Sequence, residues 1–199
     1  MPPSMTPIAQ FAQRARLAFE ARPDERWFRA WEPHDIIAPP SAFYNSCTWM
    51  APIGNVVLVE PWYAAEDSDP LERTVLAFAS HPALRSRAAM RVGEHFLTRV
   101  AYLESPPPPT VQLGDAYWDR HVVTLAASPS EAAGGFHRRL RKLLGGWGFQ
   151  GHIELRPGGL VVYFAGLLPD PAGYDRLLAI TKEIVNKAVA PDTAGPTSG

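Results

Sequence analysis

The last third of the chain carries a run of start and stop signals that restricts its fold class more than any other feature. Residues 120–126 are short and rich in β-branched side chains, which predicts a strand. Ser128 and Pro129 then provide a helix cap and a first helical position, and Gly145 and Gly146 are typical of a helix end. These signals predict a strand followed by a single helix.

A hairpin and a second helix follow. Residues 149–155 and 160–165 are strand-like, and Pro157 with the two glycines after it is typical of the turn between them. From Tyr174 to Ala188 apolar side chains recur at helical spacing. This C-terminal β-α-β-β-α cassette predicts an α+β fold, in which an antiparallel or mixed β-sheet has helices packed on one face.

The rest of the chain before this cassette is predicted to be mostly strands. Residues 43–50 and 56–63 indicate a hairpin, because a turn signal separates two β-prone runs. Residues 74–79 and 95–103 are also predicted strands. One or two helical turns are predicted over residues 83–90.

The length of 199 residues fits one domain or two small ones, and we expect residues 1–190 to form a single α+β domain. The proline run at residues 106–109 is a sub-boundary between two domains or a rigid loop between two strands of one sheet. An amphipathic helix is predicted over about residues 7–21. The composition of residues 191–199 predicts a disordered tail.

Composition excludes several classes of protein. Hydrophobic residues make up 46% of the chain, which is typical of a globular domain. The net charge is -1 at pH 7, so the protein has no overall positive potential that would attract nucleic acid, and no nucleic-acid partner is predicted. No apolar run approaches the roughly 20 residues that span a bilayer, so no membrane span is predicted. The single cysteine and the absence of a secretory pattern at the start predict a cytoplasmic location. Arginine dominates the basic residues, which is typical of a GC-rich bacterial genome.

Strong catalytic motifs are missing from the sequence. It contains no GxGxxG, no Walker A loop, no HExxH, no GxSxG and no CxxC. We therefore expect no cofactor, and the balance of the sequence leans against an enzyme.

Two pairs of polar residues form the best candidate for a metal or acid/base site. Asp119 and His121 are two positions apart on a predicted strand, and His152 and Glu154 have the same spacing on another. Side chains two apart point to one face of a strand, so the four could converge if the strands are neighbours. That set suits zinc or a similar divalent ion. The alternative is that they form the solvent-facing side of an antiparallel sheet.

Two further features allow more than one interpretation. Cys47 is a nucleophile if a histidine lies nearby, or a small buried hydrophobe within an aromatic strand. The basic stretch of the predicted helix could bind phosphate, an acidic partner or RNA, or could form a solvated outer face. Its candidate binding residues are Arg138, Arg139, Arg141 and Lys142.

The function that we predict is a non-catalytic interaction module, which acts through a protein partner or through a homo-oligomer. Its candidate contact residues are Phe11 and Phe19 on the N-terminal helix, with Trp49 and Trp62 on the first hairpin. One alternative is a protein that binds a small apolar ligand between sheet and helices. A less favoured alternative is a metal-dependent enzyme that uses the four polar residues described above. Exposure of the two phenylalanines would favour an interface, and their packing on the sheet would remove that support.

Overall fold

The computed structural model describes residues 5–32, 34–35, 37, 39–63, 73–93 and 108–190. These residues form nine strands and six helices. The strands are β1 (Ala18–Glu20), β2 (Ala42–Met50), β3 (Asn55–Trp62), β4 (Leu76–Ser80), β5 (Ala88–Val92), β6 (Thr110–Val111), β7 (Val123–Leu125), β8 (Gly151–Arg156) and β9 (Gly159–Phe164). The helices are α1 (Pro7–Ala15), α2 (Glu25–Arg29), α3 (Ala116–His121), α4 (Pro129–Gly135), α5 (Arg138–Trp147) and α6 (Pro171–Val189).

All nine strands pair in one sheet, in the order β1-β2-β3-β4-β9-β8-β5-β7-β6, and every pair is antiparallel. Strands from before and after residues 106–109 are therefore neighbours, since β8 and β9 lie between β4 and β5. The predicted α+β class, an antiparallel sheet with helices packed on it, is confirmed. None of the helices in the described ranges has both the length and the apolar character needed to cross a bilayer.

One face of the sheet supports most of the helices. Alternate strand residues such as Leu58 and Ile153 point to this face, because successive side chains of a strand point to opposite sides. Phe11 of α1, Leu140 of α5 and Leu177 of α6 bury their side chains against them. These contacts form the larger of the two apolar cores.

The opposite face carries a second apolar core, which the predicted one-sided packing did not include. The strand residues that point to this opposite face, among them Phe78 and Tyr163, are covered by α2 and the chain that follows it. Five aromatic side chains that pack together in this layer are called the aromatic cluster below. Its members are Trp27, Phe28, Trp31, Phe43 and Phe78.

The predicted helix over residues 7–21 is too long. Helix α1 ends at Ala15, and Arg16 adopts a left-handed backbone conformation with φ 57°. The chain then turns into β1, which pairs with β2 through Phe19 and Cys47. Backbone hydrogen bonds to a neighbouring strand therefore override an apolar pattern that would have continued the helix.

The strand predicted over residues 120–126 is only partly correct. Asp115 caps α3 by accepting a hydrogen bond from the Trp118 amide (3.2 Å), so the chain is helical to His121 before β7 begins. The single helix predicted next is divided into α4 and α5. His137 caps the second of them, because its Nδ1 accepts from the Leu140 amide (3.4 Å).

Three other predictions concern the middle of the chain and the tail. The helical turns predicted over residues 83–90 are wrong, because that stretch leads into β5, which pairs with β7 and β8. The strand predicted over residues 95–103 and the tail at residues 191–199 lie outside the described residues.

Candidate functional site

The first predicted pair of metal ligands lies on a helix, not on a strand. The carboxylate of Asp119 accepts hydrogen bonds from the amides of Leu113 (2.8 Å) and Asp115 (3.1 Å), which fixes the loop before α3. His121 Nδ1 donates to the carbonyl oxygen of Tyr117 (2.8 Å) within the same helix. Both side chains therefore contribute to local structure at the end of the sheet that carries β7.

The second pair lies on β8, as predicted, but it is buried rather than solvent-facing. His152 and Glu154 both point to the face covered by α2 and the following chain, and both are fully buried. The ring of His152 stacks on that of Tyr163 with centroids 5.3 Å apart. Among the described residues, no group of three or more His, Cys, Asp or Glu side chains is arranged to hold a metal ion. The structure does not bring the four predicted ligands together.

Glu154 instead anchors the chain that follows α2. Its carboxylate accepts from the amide of Ile37 (2.9 Å), from the guanidinium of Arg156 (3.3 Å) and from Nδ1 of His34 (3.3 Å). Arg156 also donates to the carbonyl oxygen of Trp31. A buried carboxylate is tolerated when several donors satisfy it, as they do here. The polar residues of β8 are thus structural partners of the second core.

Cys47 is not placed as a nucleophile. Its side chain is buried on β2 within the larger core, and burial raises the pKa of the thiol to about 12. The thiolate is the reactive form, so at pH 8 almost all of the native protein carries the neutral thiol. We expect Cys47 to react with an aromatic disulfide reagent at pH 8 only on unfolding. Complete labelling of the native protein within minutes, matching the rate in guanidinium, would contradict this placement.

The basic residues of α5 divide into two groups. Arg138, Arg139 and Lys142 are exposed. Arg141 is half-buried and donates to the carboxylate of Asp115 (3.2 Å) and to the carbonyl oxygen of Phe136 (2.7 Å). It therefore holds α3 against the break between α4 and α5. Binding of an anionic partner by the other three stays a prediction.

The apolar side of α1 is not a free surface. Phe11 is buried and meets the ring of Tyr174 edge-on, with centroids 6.2 Å apart. Phe19 lies on β1 and is partly buried against the same core. These two positions give no support to an interface on the N-terminal helix.

The tip of the β2–β3 hairpin is the most exposed apolar feature among the described residues. Met50 is 68% exposed and Ile53 is 61% exposed, and both belong to the hairpin tip, residues 50–54. Gly54 has φ 87°, and a Cβ there would lie 2.0 Å from the carbonyl oxygen of Ser80. The turn therefore packs closely on the neighbouring strand, which holds the two apolar side chains out from the sheet.

Trp49 precedes the tip on β2, but its side chain points to the face of the sheet that carries α6, opposite to that of Met50. Its ring is half-buried, and the ammonium of Lys182 lies 4.0 Å above the ring centroid. A cation at this distance is attracted by the ring quadrupole. Trp49 and Lys182 thus form a separate aromatic and basic contact at the edge of α6.

A cleft lies at the other end of the same hairpin. Its volume is about 260 Å³, and the residues that line it are Tyr44, Asn45, Glu60 and Trp62. The carboxylate of Glu60 is buried and accepts from the Asn45 amide group (3.0 Å) and from the Arg73 guanidinium (2.6 and 3.0 Å). The sequence pattern identified Trp62 but not the other three. The other three come together through the register of β2 with β3, in which Tyr44 lies opposite Glu60.

Comparison with known proteins gives a fold and no family. No protein-family model matches the chain, and no curated protein matches its sequence. Among solved structures, the chain is similar to the crystal structure of the mycobacterial trehalose monomycolate transport factor A, TtfA, with a TM-score of 0.57 and 11% sequence identity. The match covers 95% of this chain and 97% of that chain. At this identity the likeness shows that the two chains share a fold over nearly their whole lengths.

Proposed function

We propose that the protein is a non-catalytic interaction module that binds a partner protein through the hairpin tip. The observation that carries this proposal is that two large apolar side chains, Met50 and Ile53, are both exposed at the tip of one hairpin. Single exposed apolar residues are common on protein surfaces, whereas adjacent ones mark contact sites more often.

The rigidity of the tip also favours binding. The close approach of Gly54 to Ser80 limits the conformations that the turn can adopt. A contact surface that is already ordered loses less conformational entropy when a partner binds. A buried free thiol at Cys47 is in keeping with the cytoplasmic location that forms part of this proposal.

An accessory role in lipid transport is the second candidate function. It is favoured by one observation, the fold that this chain shares with the mycobacterial trehalose monomycolate transport factor A. We therefore propose that the partner recognised by the hairpin tip belongs to a membrane-lipid transport assembly.

The test is a pair of matched surface variants. We expect the double variant Met50→Ser/Ile53→Ser to lose at least about tenfold in affinity for the partner, because each apolar side chain contributes about 1.5 to 3 kcal/mol when fully buried. The full-length tagged chain would be crosslinked in its own cells, and crosslinked species would be quantified by mass spectrometry. Leu168→Ser is the control, since Leu168 is also exposed but lies in the loop before α6.

The possible results of this experiment either support or contradict the proposal. Loss of one stoichiometric partner, or of a homo-oligomer, in the tip variant and its retention in the control would support the proposal. A partner that binds both variants equally would contradict it. So would a wild-type chain that remains a monomer without any stoichiometric adduct.

A further inference from the structure

The cleft at the base of the β2–β3 hairpin has the chemistry of a ligand site, and this inference is independent of the hairpin tip. We propose that Tyr44, Asn45, Glu60 and Trp62 form a binding site for a single saccharide unit, either free or as the headgroup of a glycolipid. The site lies at the opposite end of the hairpin from the surface assigned to the partner protein. It therefore goes beyond the proposed function and does not rest on it.

Two aromatic rings form the walls of the cleft. The rings of Tyr44 and Trp62 meet nearly at right angles, with an interplanar angle of 80° and centroids 6.2 Å apart. Trp62 remains 46% exposed although it belongs to a strand of the central sheet. Such rings offer an apolar face and a polar edge, which matches a sugar ring with its C–H face and its hydroxyl rim.

The floor of the cleft is polar and neutral in sum. The negative charge of Glu60 is compensated by Arg73, which donates two hydrogen bonds to one of its oxygens. Because Arg73 pairs with the carboxylate, Glu60 adds little attraction for a cation in this cleft. A carboxylate has about four lone-pair positions, and three hydrogen bonds already reach that of Glu60, so about one position is left for a ligand hydroxyl. The floor is thus suited to hydroxyl groups rather than to a cation.

Asn45 is held in one conformation at this floor. It occupies the irregularity between Tyr44 and Cys47 in the β2–β3 pairing and has φ 53°. The backbone amide of Asn45 donates to the carbonyl oxygen of Ala21 (3.0 Å), and the backbone carbonyl oxygen of Asn45 accepts from the hydroxyl of Tyr174 (2.8 Å). Because both backbone groups are fixed, the side-chain amide is directed at Glu60 before any ligand arrives. Polar groups fixed in advance in this way favour binding.

The size of the cleft limits the ligand. Sites for drug-sized molecules have volumes of about 300 to 1,000 Å³, and this cleft of about 260 Å³ is below that range. One sugar ring fits this volume, whereas a complete lipid chain beside it does not. Any acyl chain of a glycolipid would therefore lie outside the cleft.

The test uses the full chain and four probes, which are glucose, maltose, hexyl maltoside below its micelle concentration, and choline. Binding would be measured by calorimetry and by ¹⁵N chemical-shift changes of the Trp62 indole. We expect saturable binding of the sugars with millimolar dissociation constants, and no saturable binding of choline. Trp62→Ala should weaken sugar binding at least tenfold, and Trp62→Phe should retain most of it. The control Trp147→Ala removes an indole that is 36% exposed at the end of α5 and should bind as the wild type does.

The maltose and detergent probes distinguish the two sources of the sugar. Equal affinities would support recognition of the saccharide alone. Tighter binding of the detergent, with maltose still measurable, would support a glycolipid headgroup. Three results would overturn the proposal. They are binding of the detergent when neither glucose nor maltose binds, tighter binding of choline than of the sugars, and no shift of the Trp62 indole with either sugar at tens of millimolar. Partner crosslinking by the Trp62→Ala variant should be unchanged, so failure of either proposal leaves the other testable.

Discussion

Replacing Phe78 with alanine is expected to lower the free energy of unfolding by about 3 to 5 kcal/mol. Phe78 lies at the centre of the aromatic cluster and is fully buried. Its ring centroid lies 5.2 Å from that of Phe28, 5.4 Å from Trp31 and 5.8 Å from Trp27. The truncation removes both the transfer free energy of a phenyl ring and its edge-to-face contacts, and it leaves a cavity between α2 and the sheet.

Urea denaturation followed by circular dichroism measures this effect. Leu168→Ala is the control, because that smaller side chain is 58% exposed and should change the free energy of unfolding by less than about 1 kcal/mol. A loss below about 1 kcal/mol for Phe78→Ala would mean that α2 does not pack on the sheet as described. The slope of the transition should remain near that of the wild type if the fold is unchanged.

Replacing Glu154 with alanine should cost a similar amount, about 3 to 5 kcal/mol, because it breaks a buried network of charges. The carboxylate accepts from Ile37, His34 and Arg156, and its removal leaves the buried amide of Ile37 without that acceptor. The effect should be localised to the chain after α2, since Glu154 accepts hydrogen bonds from both His34 and Ile37 of that segment.

Two measurements separate this effect from a general loss of stability. Amide hydrogen exchange at Ile37 should accelerate more in Glu154→Ala than exchange in β8, because local opening precedes global unfolding. Glu183→Ala removes an exposed carboxylate from α6 and should leave both properties unchanged. Uniform acceleration across the whole sheet would show that Glu154 has no special role in holding this segment.

The elements that were predictable from the sequence are those whose signals are local. Helix α6 begins at an aspartate cap followed by proline, and the Asp170 carboxylate accepts from the Gly173 amide (2.7 Å). The β8–β9 hairpin follows from a proline-glycine turn between two apolar runs. Each of these signals lies within a few residues of the structure that it specifies.

The elements that were missed depend on partners distant in sequence. Residues 83–90 have no local strand signal, and β5 forms because it fills the gap between β7 and β8. Phe19 continues the apolar pattern of α1, yet it lies on a strand because β2 offers it backbone hydrogen bonds. A periodicity computed from neighbours cannot contain this information.

The candidate sites illustrate the same limit. Alternating polar residues on β8 were consistent with a solvent face, but α2 and its following chain cover that face. His152 and Glu154 are therefore buried. The cleft could not be predicted either, because Tyr44 and Trp62 lie 18 positions apart and meet only through the register of β2 with β3.

The order of the strands has a consequence for the synthesis of the chain. When the ribosome has delivered residues 1–150, seven of the nine described strands have been synthesised. In the finished sheet, no strand of the group β1–β4 pairs with a strand of the group β5–β7. The two described strands that are synthesised last connect the groups, because β9 pairs with β4 and β8 pairs with β5. Until then the nascent chain presents the unpaired edges of β4 and β5, and such edges favour aggregation. Closure of the sheet therefore depends on the β8–β9 hairpin, which joins the two groups of strands through the β4–β9 and β5–β8 pairs.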